Sequence, residues 1–183
     1  IRRQRQMCIR DSSPFAPSSN NLGIDLGQVF LMGDLSEDYS DNLGFRINYT
    51  YGVSDIFGFE SNLGHSSHTD GAFSMTHLDM GLRTNLAWFD RIIPYLSFGL
   101  GFYRPSYTFP QKGNTGETAS VAPILFGIHL GPGVNLQLTN RLYFGTSLTF
   151  HDIFGTETVK PDGTKLNAGG TFTSLLIHAG MSF

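Results

Sequence analysis

The sequence predicts an all-β protein, an eight-stranded antiparallel up-and-down β-barrel. Eight stretches alternate apolar side chains with small or polar ones at every second position, which is the period of a strand and not of a helix. The connections between these stretches alternate between long and short. Only 15% of the residues are charged, whereas glycine and phenylalanine are abundant, with 22 and 16 residues. Soluble domains usually carry about a quarter of charged residues.

The eight stretches can be placed in order along the chain. They cover residues 22–33, 43–53, 56–65, 75–88, 92–104, 121–137, 142–151 and 171–183. The second is the most regular, because Phe45, Ile47 and Tyr49 alternate with Arg46 and Asn48. Short turns follow the second, fourth and sixth strands, and long polar loops follow the others. An even number of strands with this pattern places the short turns and both chain ends on one side of the barrel.

The first 21 residues carry no strand period. Residues 1–12 contain four arginines and the only cysteine, Cys8, and we interpret them as a non-native segment derived from a cloning or sequencing adapter. Residues 13–21 are rich in proline, serine and asparagine and are interpreted as a linker. The barrel itself is therefore predicted to span residues 22–183.

The composition of the polar face predicts which side of the sheet points inward. An eight-stranded lumen is narrow, so it must be filled by small or mutually paired polar groups. Many glycines lie on this face, and so do the ionisable residues that we predict to form a lumen network. These are Arg46, Glu60, Asp79, Arg83, His77 and His129. The apolar face then points outward to lipid, which makes the barrel a transmembrane one.

Together these features resemble the small eight-stranded outer-membrane barrels of the OmpA, OmpX and OmpW type, over about residues 22–183. The resemblance implies the outer membrane of a Gram-negative bacterium, with periplasmic N- and C-termini. It also implies contact with the lipid bilayer and lipopolysaccharide. In that family the C-terminal aromatic strand is the recognition signal for the barrel-assembly machinery, and here that strand carries Ile177, Met181 and Phe183.

Two functions follow from this interpretation. The first is a structural or surface-exposed barrel with a plugged polar lumen, no large pore, no enzymatic activity and no cofactor. The second is an OmpW-like passage or binding site for small hydrophobic molecules. Its motivation is a candidate hydrophobic cup formed by inward apolar residues near the loop end, which are Tyr103, Val121, Leu125 and Leu176.

Two further alternatives remain open. A barrel enzyme that modifies lipid A would need a nucleophile beside a histidine, and His151 follows Ser147 and Thr149 while His65 adjoins Ser66. Neither pair has an evident orienting acid. A soluble lipocalin-like carrier would instead require the apolar face to point inward.

Other binding functions have little support in the sequence. The formal net charge of -3 gives no case for a nucleic-acid partner. His77, His129 and His178 lie on the polar faces of three predicted strands. We interpret them as hydrogen-bonded lumen residues, so no metal site is predicted.

Overall fold

The computed structural model describes residues 15–110, 118–155, 157–159 and 165–183. Within these ranges the chain forms eleven strands, a short α-helix and one 3₁₀ turn. The strands are β1 (Asn20–Met32), β2 (Asn42–Gly52), β3 (Phe57–His68), β4 (Phe73–Asn85), β5 (Ile92–Pro110), β6 (Thr118–Val121), β7 (Leu125–Gln137), β8 (Leu142–Ile153), β9 (Glu157–Val159), β10 (Lys165–Asn167) and β11 (Gly170–Ser182). The helix α1 spans Asp34–Asp38, and the 3₁₀ turn spans Thr69–Gly71.

Eight long strands close into one antiparallel barrel. Their hydrogen-bonded order is β4, β3, β2, β1, β11, β8, β7, β5, and a β4–β5 pairing completes the circle. The first and last strands meet in a continuous register that runs from Asn21 opposite Ser182 to Met32 opposite Thr171. This closure pairs the backbone N–H and C=O groups that the edge strands of an open sheet would leave unbonded. The predicted fold, an eight-stranded up-and-down barrel, is confirmed.

The apolar side chains of the barrel strands point outward. In β7, buried and exposed residues alternate strictly from Leu125 to Gln137, as the pleat of a strand requires. The glycines and Leu125 lie on the buried, inward side. Outward apolar residues such as Ile24, Ile47 and Leu100 are 62%, 43% and 53% exposed. An apolar band of this kind around the outside of a barrel is typical of a wall that faces lipid. No helix in the described part of the chain is long and apolar enough to span a membrane.

Several strands extend further than the sequence pattern predicted. The region 66–74, predicted as a loop, is mostly strand, because β3 continues to His68 and β4 begins at Phe73. The strand β5 continues past residue 104 to Pro110. Polar and aromatic residues in these extensions do not follow the apolar–polar alternation of a lipid-facing wall, which hid them from a test for that period.

Other predicted boundaries also differ from the structure. The predicted strand 121–137 is divided into β6 and β7, with a break at residues 122–124. Pro123 lies in this break and has no N–H with which to continue a ladder. The predicted loop 34–42 contains the helix α1, and the predicted loop 152–170 contains the paired strands β9 and β10.

The segment before β1 packs against the barrel instead of linking to it. Phe15 is only 2% exposed, and its ring lies 4.9 Å from that of Tyr143. The hydroxyl of Ser19 donates to the carbonyl of Ala16, which stabilises the turn. Within the predicted linker 13–21, residues 15–16 are therefore buried, residues 17–18 are exposed, and residues 20–21 belong to β1. The predicted non-native segment 1–12 lies outside the described residues.

Two apolar clusters cover the two ends of the lumen. The turn end carries the connections 53–56, 86–91 and 138–141, and its cluster consists of Phe15, Ile93 and Tyr143. The loop end carries α1 and the connections after β3, β5 and β8. Its cluster, the loop-end cluster, consists of Val29, Leu31, Leu35, Phe73, Met75, Tyr103, Tyr107, Leu125, Ile153, Ala168 and Phe172. Buried polar side chains fill the barrel between them.

Candidate functional site in the barrel lumen

A buried ion pair joins the first two strands in the lumen. Asp25 of β1 lies opposite Arg46 of β2 in the register, and Nε of Arg46 donates to Oδ2 of Asp25 over 2.5 Å. The amide of Asn48 also donates to Asp25. The guanidinium of Arg46 reaches across the barrel and donates to Oγ of Ser147 on β8, over 2.9 Å. This side chain therefore spans the lumen.

The second lumen arginine is held by aromatic rings and amides. The guanidinium of Arg83 lies 3.9 Å from the ring centroid of Phe15 and 3.6 Å from that of Tyr95. Its Nε donates to Oδ1 of Asn85 over 3.1 Å. In the amide orientation that satisfies its neighbours, the oxygen of Asn135 accepts from both terminal nitrogens of Arg83, over 2.8 and 3.1 Å. Cation–π contacts of this geometry stabilise a desolvated guanidinium.

In the described part of the barrel, the acidic residues and arginines of the predicted lumen network do not pair with one another as ions. Within the described residues, neither Glu60 nor Asp79 forms an ion pair with an arginine. Glu60 accepts from Nδ2 of Asn62 over 2.9 Å, and it borders a cavity of about 10 Å³ that Arg46 and Arg83 also line. The counter-charge of Arg46 is Asp25, a buried residue of β1 that was not among the predicted network residues.

A cluster of three histidines and one aspartate lies next to the loop-end cluster. We call His77 and Asp79 of β4, His129 of β7 and His151 of β8 the histidine–aspartate cluster. Nε2 of His77 lies 3.6 Å from Oδ2 of Asp79, and Nδ1 of His151 lies 3.9 Å from the same oxygen. His129 lies opposite His151 in the register. The hydroxyl of Tyr103 contacts Nδ1 of His151 at 3.0 Å.

Glycines on the neighbouring strands provide room for this cluster. Gly64 lies opposite His77, and Gly101 lies opposite Asp79. A Cβ atom added at Gly64 would overlap the imidazole of His77, and one added at Gly101 would overlap the carboxylate of Asp79. The buried polar groups therefore depend on the absence of side chains at these two positions.

The outer wall carries a groove near the same cluster. It has a volume of about 330 Å³ and lies across β1, β7, β8 and β11. Met32, Leu130 and Phe150 line it, and His129 and His151 of the cluster also border it.

A family model described as "Outer membrane protein beta-barrel domain" matches residues 13–172. The chain belongs to this family. The predicted resemblance to small outer-membrane barrels is thereby confirmed, and the family places the chain in the bacterial outer membrane. No curated protein matches the sequence.

Solved outer-membrane barrels share the fold of this family member. Neisserial surface protein A (NspA) superposes with a TM-score of 0.67 at 15% identity, covering 90% of this chain and 97% of its own. Ail of Yersinia pestis gives 0.57 at 12% identity, with 91% and 99% covered. OprG of Pseudomonas aeruginosa gives 0.57 at 12% identity, with 92% and 98% covered. At these identities the similarity shows the fold alone.

In this outer-membrane barrel, the predicted hydrophobic cup is occupied by other side chains. Tyr103 and Leu125 belong to the loop-end cluster, where Phe73, Met75 and Phe172 pack beside them. Both of the remaining predicted positions lie outside that cluster. Leu176 is buried on β11, and Val121 is half-buried on β6.

The predicted serine–histidine neighbours do not form pairs in this barrel. Ser147 and Thr149 accept hydrogen bonds from Arg46, at 2.9 and 3.5 Å. The serine that approaches His151 is Ser174, whose Oγ lies 3.5 Å from Nε2. The Nδ1 atom of His65 contacts the hydroxyl of Thr76, and Ser66 contacts His68. The serines and histidines considered for a lipid A-modifying enzyme therefore contact other residues in the structure and not each other.

The predicted assembly signal and His178 lie apart from the histidine–aspartate cluster. Ile177, Met181 and Phe183, the predicted assembly signal, are exposed on the outer wall, with Ile177 in the middle of β11 and the other two at the turn end. His178 points inward and contacts the amide of Asn135. It lies outside the histidine–aspartate cluster.

Proposed function

We propose that this outer-membrane barrel is a structural or surface-exposed protein with a plugged lumen, no large pore and no enzymatic activity. The observation that carries the proposal is the side chain of Arg46, which links Asp25 on one side of the lumen to Ser147 on the other. An eight-stranded barrel is just wide enough for its side chains to fill. A guanidinium that spans this width obstructs the path of hydrated ions.

Both ends of the lumen support the same conclusion. Phe15 packs under Arg83 at the turn end, and the loop-end cluster buries Phe73, Tyr107 and Phe172 at the other. The contact between Ser174 and His151 is fully buried within this filled interior. This burial leaves little room for a lipid substrate at the contact, which argues against a lipid A-modifying activity.

We further propose a topology in which the turn end and both termini lie in the periplasm. The long connections would then face outward, and the apolar wall would contact lipid and the acyl chains of lipopolysaccharide. The outward residues of β11 would engage the barrel-assembly machinery. No nucleic-acid partner is proposed, since the net charge is negative.

Planar-bilayer recordings test the plugged lumen. We expect the refolded protein to show no stable large conductance. Combined replacement of Phe73, Tyr107 and Phe172 by alanine should increase the frequency of openings, because it empties the loop end of the lumen. Leu130→Ala, which removes a similar apolar side chain from the outer wall, is the matched control and should leave the recordings unchanged. A stable large pore in the unmodified protein would contradict the proposal.

The outer-wall groove favours a second candidate function, the binding of small hydrophobic molecules. Its volume of about 330 Å³ lies within the range of small-molecule sites. We expect an apolar fluorescent probe to bind the reconstituted barrel, and Thr173→Trp to weaken that binding by filling the groove. Leu22→Trp places the same ring on the outer wall, away from the groove, and should have no effect. Equal binding by both variants would exclude this site.

A further inference from the structure

The histidine–aspartate cluster has the geometry of a metal-ligand set. One donor atom each from His77, Asp79 and His151 lies within 4.8 Å of the other two. In a tetrahedral site with bonds of about 2.0–2.2 Å, neighbouring ligand atoms lie about 3.3 Å apart. The observed separations of 3.6 and 3.9 Å from Oδ2 of Asp79 would need to shorten by a few tenths of an ångström. The two imidazole donors lie within 4.8 Å of each other, and that separation would need to shorten by up to about 1.5 Å.

The same side chains are buried with unused bonding capacity. Both ring nitrogens of His77, both carboxylate oxygens of Asp79 and both ring nitrogens of His129 are buried without a hydrogen-bond partner among the described residues. Buried polar atoms are nearly always bonded, because an unbonded one loses its hydration without compensation. Six such atoms in one cluster indicate that a further species completes it.

We propose that the cluster binds a divalent transition-metal ion through His77, Asp79 and His151. Two imidazoles and one carboxylate suit Zn²⁺, whereas Ca²⁺ and Mg²⁺ prefer sets composed of oxygen ligands. His129 lies beside this set, with its ring centroid 6.1 Å from that of His151, but its nitrogens are not among the donor atoms that lie within 4.8 Å of one another.

The surroundings of His151 support this role. When Nδ1 binds the metal, Nε2 carries the proton and can donate to Oγ of Ser174, now 3.5 Å away. Such outer partners fix the orientation of metal-bound imidazoles. The hydroxyl of Tyr103 must release Nδ1 on metal binding. Since the ligands come from β4 and β8, the ion would tie two separate strands of the closed barrel together.

Refolding in the presence of Co²⁺ tests the proposal, because a cluster buried inside a filled lumen has to be loaded as the barrel closes. We expect one Co²⁺ per chain, with the absorption spectrum of a tetrahedral ion. In a parallel refolding that contains both ions, Zn²⁺ should compete with Co²⁺ and reduce this absorption. Loss of a residue that only orients a metal ligand typically weakens metal binding by about 10–100-fold, and Ser174→Ala should fall within that range. His77→Gln and Asp79→Asn each remove a ligand and should weaken binding by more than this.

His65→Gln is the matched control, since His65 is a partly exposed strand histidine outside the cluster. It should bind Co²⁺ like the unmodified chain. The proposal is overturned if the unmodified barrel gives no stoichiometric tetrahedral spectrum, or if His65→Gln abolishes binding while His77→Gln retains it. If the two ligand variants do not refold, as shown by the loss of their heat-shifted band on SDS gels, the spectrum and stoichiometry of the unmodified chain and of Ser174→Ala decide.

Discussion

Replacing Asp25 with alanine is expected to destabilise the barrel by about 3–5 kcal/mol, which is the usual cost of leaving a buried charge without its partner. The carboxylate of Asp25 is fully buried and accepts from Arg46 and Asn48. Without it, the acceptors that remain to the guanidinium of Arg46 among the described residues are the hydroxyls of Ser147 and Thr149. Neutral hydroxyls do not compensate a desolvated positive charge.

The measurement is urea unfolding of the refolded protein in lipid vesicles, followed by the fluorescence of the single tryptophan, Trp88. Glu37→Ala, which removes an exposed carboxylate from α1, should change the free energy of unfolding by less than about 0.5 kcal/mol. A double variant, Asp25→Leu with Arg46→Met, should recover most of the loss, because apolar pairs often replace buried ion pairs without penalty. If Asp25→Ala unfolds at the same urea concentration as the unmodified chain, the ion pair is not a structural element of the lumen.

The outer wall could be predicted from the sequence, whereas the contacts inside it could not. Outward positions such as Ile47 and Leu100 meet a single requirement, compatibility with lipid, so their alternation is visible along each strand. The pairing of Asp25 with Arg46 depends on the register across the connection between β1 and β2. A connection of that length does not fix the register as a two-residue hairpin turn would.

Contacts across the lumen were harder still to predict. His77 and His151 belong to strands that are not neighbours in the barrel, and their approach depends on strand tilt and shear. The pattern of one strand contains no information about either quantity. Phe15 was hidden for a different reason, because the proline and serines around it are typical of a linker although its ring closes the turn end of the lumen.

The inner face shows one regularity that can be read from the sequence when the strand registers are known. Several large inward side chains lie opposite a glycine on the next strand. The pairs are Arg46 with Gly64, Glu60 with Gly81, Asp79 with Gly101, Tyr95 with Gly133 and Tyr143 with Gly180. The high glycine content therefore reflects complementary packing across a narrow lumen, and it also allows the backbones of neighbouring strands to come close.

Gly81→Val is the second substitution expected to have a large effect. Gly81 of β4 lies opposite Gly99 of β5. A Cβ atom at position 81 would overlap the carbonyl oxygen of Phe98 and approach Cα of Gly99 to 2.8 Å. These are backbone atoms of the adjoining strand, so no rotamer change can relieve the overlap, and β4 and β5 would have to move apart. Overpacking that displaces the backbone typically costs about 1–3 kcal/mol, and occasionally more.

The expected result is a lower urea midpoint and a smaller refolded fraction, measured by the heat-shifted band on SDS gels. Ala179→Val is the matched control, because Ala179 is exposed on the outward face of β11. It should refold like the unmodified chain. Equal refolding of Gly81→Val would mean that β4 and β5 tolerate a wider separation. The β4–β5 pairing completes the circle of strands, so that outcome would show that barrel closure does not depend on close backbone contact at this pair of glycines.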